Sequence, residues 1–131
     1  MSRKSKGINA ERELVHEFWS KGWPCVRIAG SGSSKYPSPD ILAGNAQRMI
    51  AIECKSTKDA KKYFTKVEVE QLKLFSKLFG AEPWVGIKFQ GEGWFFLSLD
   101  DLKETPHSFV ASVELAKLKG LISDELIESN I

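Results

Sequence analysis

The apolar runs 40–43 and 48–55 are joined only by the tight connection Gly44-Asn45-Ala46. So short a gap leaves no room for a crossover helix, and the two runs are expected to pair as an antiparallel hairpin around which the rest of the chain must be laid. Upstream, residues 8–21 read as an amphipathic helix: Leu14, Val15, Phe18 and Trp19 form one stripe and Gly22 stops it. Residues 24–28 read as a short strand, and 30–39, all small residues and prolines apart from Lys35 and Tyr36, as a loop. Downstream, 57–62 reads as a charged loop. A helix is expected over 66–79, with Val67, Leu72, Phe75, Leu78 and Phe79 as its apolar positions and Gly80 as its stop. Strands at 83–89 and 93–97 follow, around the turn Gln90-Gly91-Glu92. The order α-β-β-β-α-β-β predicts an α/β fold, a mixed five-stranded sheet flanked by helices. Beyond residue 100 the pattern weakens: 110–119 fits a helix, and Ser123-Asp124-Glu125-Leu126 a capped helical turn.

At 131 residues, 42% hydrophobic and 27% charged, the chain has the size and balance of one globular domain, with its core expected over about 6–100. No apolar run approaches the ~20 residues of a bilayer span, and no apolar stretch follows the basic start of the chain, so a cytoplasmic protein without membrane association is expected. Cys25 and Cys54 lie in apolar runs and read as free buried thiols; with no CxxC or Cys/His cluster, zinc is not expected. Charge is divided unevenly. Residues 1–99 carry 16 Lys and Arg against 10 Asp and Glu, whereas residues 100–131 carry 3 against 7. A basic body suits an anionic partner.

Several polar residues fall where the pattern calls for apolar ones. Glu11 precedes Leu14 by three residues and Phe18 by seven, on the core side of the first helix. Either it sits in the first turn, where the helix dipole favours an acid, or it faces something that needs a carboxylate. In the run 48–55, period-two alternation sends Ile50, Ile52 and Cys54 to one face and Met49, Ala51, Glu53 and Lys55 to the other. Glu53 and Lys55 form either a salt bridge on a solvated edge or part of a site. The hairpin brings Asp40 toward that end of the run. Asp40 and Glu53 on adjacent strands, with Glu11 as a third carboxylate, match what Mg²⁺ takes in metal-assisted phosphodiester hydrolysis: hard oxygen donors from one or two carboxylates, completed by water and phosphate. Lys55 would orient the attacking water and offset charge on the scissile phosphate. Gln71, on the next helix, is either a further polar group near the site or a solvated residue.

These segments resemble the archaeal Holliday junction resolvases of the Hjc type. The resemblance rests on Glu11-Arg12-Glu13-Leu14, Val26-Arg27-Ile28-Ala29-Gly30-Ser31, Pro39-Asp40-Ile41, Ile52-Glu53-Cys54-Lys55-Ser56, Gly86-Ile87-Lys88-Phe89 and Gly93-Trp94-Phe95-Phe96, in order over roughly 6–100. It implies a restriction-endonuclease-like core and a homodimeric endonuclease that cuts four-way DNA junctions by paired, symmetry-related nicks. Mg²⁺ would be the cofactor, with Mn²⁺ able to substitute, and no small-molecule cofactor is needed. Glu11, Asp40 and Glu53 would be metal ligands and Lys55 the charge-stabilising lysine; Ser31 matches a loop serine needed for cleavage, and Arg12 and Arg27 match basic residues near the phosphates. The loop 30–38 is longer than in shorter members of the family, and the tail after 100 is unmatched. Lys35, Lys61 and Lys62 flank the same segments as further candidate phosphate contacts. Of Phe95 and Phe96, one ring is expected to face outward, toward a dimer interface, while Tyr63 and Phe64 could touch DNA or a partner. Two rivals stay open: a nuclease for duplex DNA with the same site, and a non-catalytic DNA-binding module that keeps a salt-bridged Glu53–Lys55 pair.

Overall fold

The computed structural model describes residues 3–33 and 35–129, with the side chains of 3–5 left aside. The hairpin forms: β2 (Ile41–Gly44) pairs antiparallel with β3 (Met49–Thr57), Ile41 opposite Ile52 and Gly44 opposite Met49. The chain reaches β2 through α1 (Arg3–Ser20) and β1 (Cys25–Arg27), and β1 closes the outer edge against β2. After β3 it runs through β4 (Lys61–Thr65) and α2 (Lys66–Phe79) to β5 (Glu82–Phe89), which lies parallel to β3 because that excursion carries the chain back to its starting edge. β6 (Gly93–Ser98) pairs antiparallel with β5, giving a five-stranded mixed sheet in the order β1-β2-β3-β5-β6.

Both faces of this sheet are covered. On one, Leu14 and Phe18 of α1 pack with Trp23, Ile41, Ile50, Ile52, Trp84 and Phe96; on the other, Val69 and Leu72 of α2 pack with Ala51, Val85, Ile87 and Leu97. Alternation along β3 and β6 divides the side chains between the two cores. Phe95, half-buried, therefore packs against the α2-side core while Phe96, wholly buried, joins the other. Gly86 leaves room for the Phe96 and Ile52 side chains over β5: a Cβ there would meet Phe96 at 3.1 Å and Ile52 at 3.2 Å.

Four expectations change. The first helix begins at Arg3, so Glu11 lies in its third turn, too deep for the dipole to account for it. The charged loop expected over 57–62 narrows to 58–60, since Thr57 ends β3 and Lys61 and Lys62 open β4; β4 joins β8 (Ser108–Ser112) and β7 (Lys103–Glu104) in a second, three-stranded sheet of order β4-β8-β7. The helix expected over 110–119 is α3 (Val113–Lys119), its first residues being taken by β8. In α2 the buried positions are Val69, Leu72 and Ser76, whereas Val67, Leu78 and Phe79 are exposed. Residues 69, 72 and 76 share the face that meets the sheet; 67 and 78 lie on the opposite one.

The acidic tail is tied to the basic body. Lys66 Nζ meets Glu104 at 2.6 Å, and Lys21 bonds Asp124. α4 (Ser123–Glu128) docks through the Ser123 hydroxyl, which donates to Glu17 of α1, while Glu125 accepts the Ile122 N–H at 2.9 Å. The helical turn is thus capped by Glu125, and Ser123 serves as a tether. No described helix is long and apolar enough to cross a membrane.

Candidate active site

The site lies where the hairpin opens. Asp40 stands just beyond the Ile41–Ile52 pair that ends the β2–β3 register, and its N–H donates to the Ile52 carbonyl at 3.0 Å. Pro39, buried beside it, ends the ladder and lets the Asp40 carboxylate turn across the strand end. One carboxylate oxygen accepts the Cys54 N–H at 2.7 Å and the other accepts the Ser31 hydroxyl. Ser31 stands in a single helical turn, Ser31–Ser33, that follows Gly30 in the left-handed region (φ 69°). The loop thus folds back onto Asp40 and holds one of its oxygens, while the β3 backbone holds the other.

Glu53 projects from β3, the middle strand of five, so the solvated-edge account of Glu53 and Lys55 is excluded. Burial raises the Glu53 carboxyl well above the usual carboxylate range. Repulsion from Asp40 and Glu68 adds to that, and Lys55 opposes it. Glu11 reaches the same region from α1, on the opposite face of the sheet. Burial first, then Asp40, pushes it up to about 7 against the pull of Arg27, whose Nε stands 3.2 Å from a Glu11 oxygen. That pair is close enough to be ionic but lies outside hydrogen-bond geometry for the buried Nε. Asp40 is the shared neighbour of Glu11 and Glu53.

Lys55 Nζ bonds Glu68 of α2 at 2.6 Å and lies 5.6 Å from the centre of the Phe64 ring. The ion pair that Lys55 makes is therefore with α2 and not with Glu53, which leaves the binding-module rival without its premise. Glu68 was not singled out in the sequence, although Thr65-Lys66-Val67-Glu68 carries the spacing of a capping box; its second oxygen accepts the Thr65 N–H at 2.9 Å. Gln71 is exposed, one turn beyond Glu68.

The basic candidates divide. Arg12, Lys35 and Lys61 are exposed; Arg27 is half-buried against Glu11. On β4 the alternation exposes Lys61, Tyr63 and Thr65 and turns Lys62 toward the side of Phe64, which is wholly buried and so touches neither DNA nor a partner. Cys25 is buried and Cys54 half-buried; both are free thiols.

Among the described residues, no three His, Cys, Asp or Glu side chains are gathered into a ready-made metal cage. Arg27 holds Glu11, and Ser31 with the Cys54 amide holds Asp40. The donor set nevertheless suits a hard divalent cation: all oxygen, with Asp40 and Glu53 close enough to repel and their repulsion only partly offset by Lys55, and Mg²⁺ takes as few as one or two protein carboxylates.

A model of the family described as archaeal Holliday junction resolvase (Hjc) matches residues 2–129. The crossover junction endodeoxyribonuclease Hjc of Archaeoglobus fulgidus is 43% identical over 106 residues, 81% of this chain and 78% of the relative. Its namesake from Sulfolobus acidocaldarius is 37% identical over 130 residues, 97% of this chain and 90% of that one. The solved structure of A. fulgidus Hjc, a Holliday junction resolvase, superposes with a TM-score of 0.85 at 38% identity, covering 92% of this chain and 98% of the other.

Proposed function

The chain belongs to the archaeal Holliday junction resolvase (Hjc) family, and from that premise we propose that it is a homodimeric, Mg²⁺-dependent endonuclease that resolves four-way DNA junctions by paired, symmetry-related nicks. It is a crossover junction endonuclease of restriction-endonuclease-like fold, an enzyme of DNA recombination and repair. The observation that carries the chemistry is the convergence of Asp40 and Glu53 at the open end of the hairpin: Asp40 accepts the N–H of Cys54, the residue next to Glu53, and its charge helps to raise the Glu53 carboxyl.

Asp40 and Glu53 would hold the cation, with Glu11 as third carboxylate and Mn²⁺ able to replace Mg²⁺. When bound, the ion neutralises charge on the scissile phosphate and acidifies an attacking water. The protein's own groups do the rest. Ser31 and the Cys54 amide orient Asp40 in advance of substrate, so no reorganisation of that carboxylate is required during reaction. Arg27 restrains Glu11. The Lys55 ammonium, beside Glu53, orients the water and offsets the negative charge that develops on the phosphate. Arg12, Lys35 and Lys61 would meet backbone phosphates, together with Lys62 and the part of the Arg27 guanidinium that Glu11 leaves open. The second copy would sit against the outward face of α2, where Leu74, Leu78 and Phe79 are exposed and, with Phe75, line an apolar groove beside Tyr36 and Pro37.

The test compares a four-way junction with linear duplex of the same arms, with and without Mg²⁺. Nicks in the junction alone, in Mg²⁺ alone, are expected. Asp40→Asn and Glu53→Gln should abolish cleavage while junction affinity is kept or raised, since only negative charge is lost. Equal cutting of the duplex would make the protein a duplex nuclease, and junction binding without cutting a binding module.

A further inference from the structure

Glu68 holds two groups at once, and only one of them belongs to its helix. Its Oε1 accepts the Thr65 N–H at 2.9 Å while the Thr65 hydroxyl accepts the Glu68 N–H at 3.0 Å, which completes the capping box of α2. Its Oε2 accepts Lys55 Nζ at 2.6 Å. Lys55 is therefore restrained along its whole length: its backbone is locked in the middle strand of the sheet, the Phe64 ring lies 5.6 Å from the ammonium, and Glu68 takes the ammonium itself. A lysine on a solvated strand would sample many rotamers; this one has a fixed address.

A cap alone does not call for a carboxylate here. Glutamine fills the same position of a capping box, and it would not add to the repulsion that Glu53 already experiences from Asp40. A third acid has been placed next to a crowded pair of acids, with its second oxygen on the Lys55 ammonium. We infer that Glu68 is a positioning residue for strand cleavage: by bonding Lys55 Nζ it holds that ammonium at the Asp40–Glu53 end of β3, acting through Lys55 and making no contact with the phosphate. This rests on the reading of Lys55 as a participant in cleavage.

Glu68→Gln separates the two duties, because it keeps an acceptor for Thr65 and removes the charge facing Lys55. Four quantities are measured: the single-turnover cleavage rate at saturating junction in Mg²⁺, junction Kd without divalent ions, the thermal midpoint, and the ammonium resonance of Lys55 in ¹⁵N-lysine-labelled protein. The rate is expected to fall about 10- to 100-fold, the scale seen when a group supporting an active-site residue is lost, with Kd within about twofold and the Lys55 resonance broadened or lost. Thr65→Ala, which removes the other half of the cap and leaves Glu68 on Lys55, is the helix control and should cut at the wild-type rate. An unchanged or faster rate in Glu68→Gln, an unmoved Lys55 resonance, or an equal loss in Thr65→Ala overturns the inference. Lys55→Ala distinguishes the two levels: wild-type cutting by that variant defeats the role of Lys55 itself, whereas its inactivity beside a fully active Glu68→Gln defeats only the role of Glu68.

Discussion

A carboxylate removed from water beside another carboxylate is held in its protonated form, and Glu11 and Glu53 both show this through raised pKa values. The sign of the stability effect follows. A carboxyl raised above its unfolded value near 4.5 adds stability that is fully present below that value and is lost as pH rises through the folded one, about 7 for Glu11 and likewise well above 4.5 for Glu53. Above neutrality the metal-free cluster is a net cost. Glu53→Gln in chelator should therefore be more stable than wild type at pH 8, by about 2 kcal/mol in denaturant titrations, with the difference nearly gone at pH 4. A destabilised variant at pH 8 would mean that Lys55 outweighs the repulsion from Asp40. The convergence of Asp40 and Glu53 is legible in the chain because it needs only a hairpin and its register. Glu68 is not, because its approach to Lys55 depends on where the β3-to-α2 excursion returns, and no local spacing carries that.

Elements whose partners are near in sequence could be read, and those whose partners are distant could not. The hairpin, α2 and the β5–β6 pair depend on local periodicity and turns. β4 is lysine-rich and reads as loop, and it becomes strand only by pairing with β8, Lys61 opposite Ser112, across α2 and two strands of the main sheet. The last helix is similar. Six residues long, α4 would not persist alone, and it is held by Arg48, which precedes β3. The Arg48 guanidinium donates to the carbonyls of Leu126, Ile127 and Ser129 at 3.0, 3.2 and 2.9 Å, grips Glu82 with two bonds of 2.8 Å, and lies 5.4 Å from the centre of the Trp23 ring. Three carbonyls at the end of α4 are thus satisfied by one side chain. Arg48→Ala should cost about 2–4 kcal/mol and release the amides of α4 to hydrogen exchange well before those of the five-stranded sheet. Lysine should restore little, because it lacks the fork that serves Glu82 and the carbonyls together. Arg48 also lowers the Glu82 pKa, so its contribution is present above the unfolded value and lost as pH falls; the deficit of the variant should shrink in acid. Uniform exchange across the molecule would show that α4 is not held separately.

At the scale of the whole molecule, one surface stands out that its own fold does not use up. It is the outward side of α2, where Val67, Leu74, Leu78 and Phe79 are 62%, 49%, 78% and 51% exposed and the stacked rings of Phe75 and Phe79 lie 5.0 Å apart. Large apolar side chains gathered on one helix face are unfavourable in water and mark a surface meant to be covered. A four-way junction has two-fold symmetry, so the proposed pair of symmetry-related nicks calls for two sites related by the same axis, and an isologous contact through this face would supply it. Leu74→Glu with Leu78→Glu tests the pairing without touching the core, since both side chains already stand in solvent. The double variant should sediment as a monomer and the wild type as a dimer, with a thermal midpoint lowered only by what dimerisation adds through mass action. Its Asp40–Glu53 site is intact, so in Mg²⁺ it should still nick a junction, but slowly and on one strand at a time. A supercoiled cruciform plasmid reads this directly: paired cutting within one binding event gives linear product, whereas uncoupled nicks accumulate as open circles. Persistence of the dimer, or linear product formed by a monomer, would place the partner on another face.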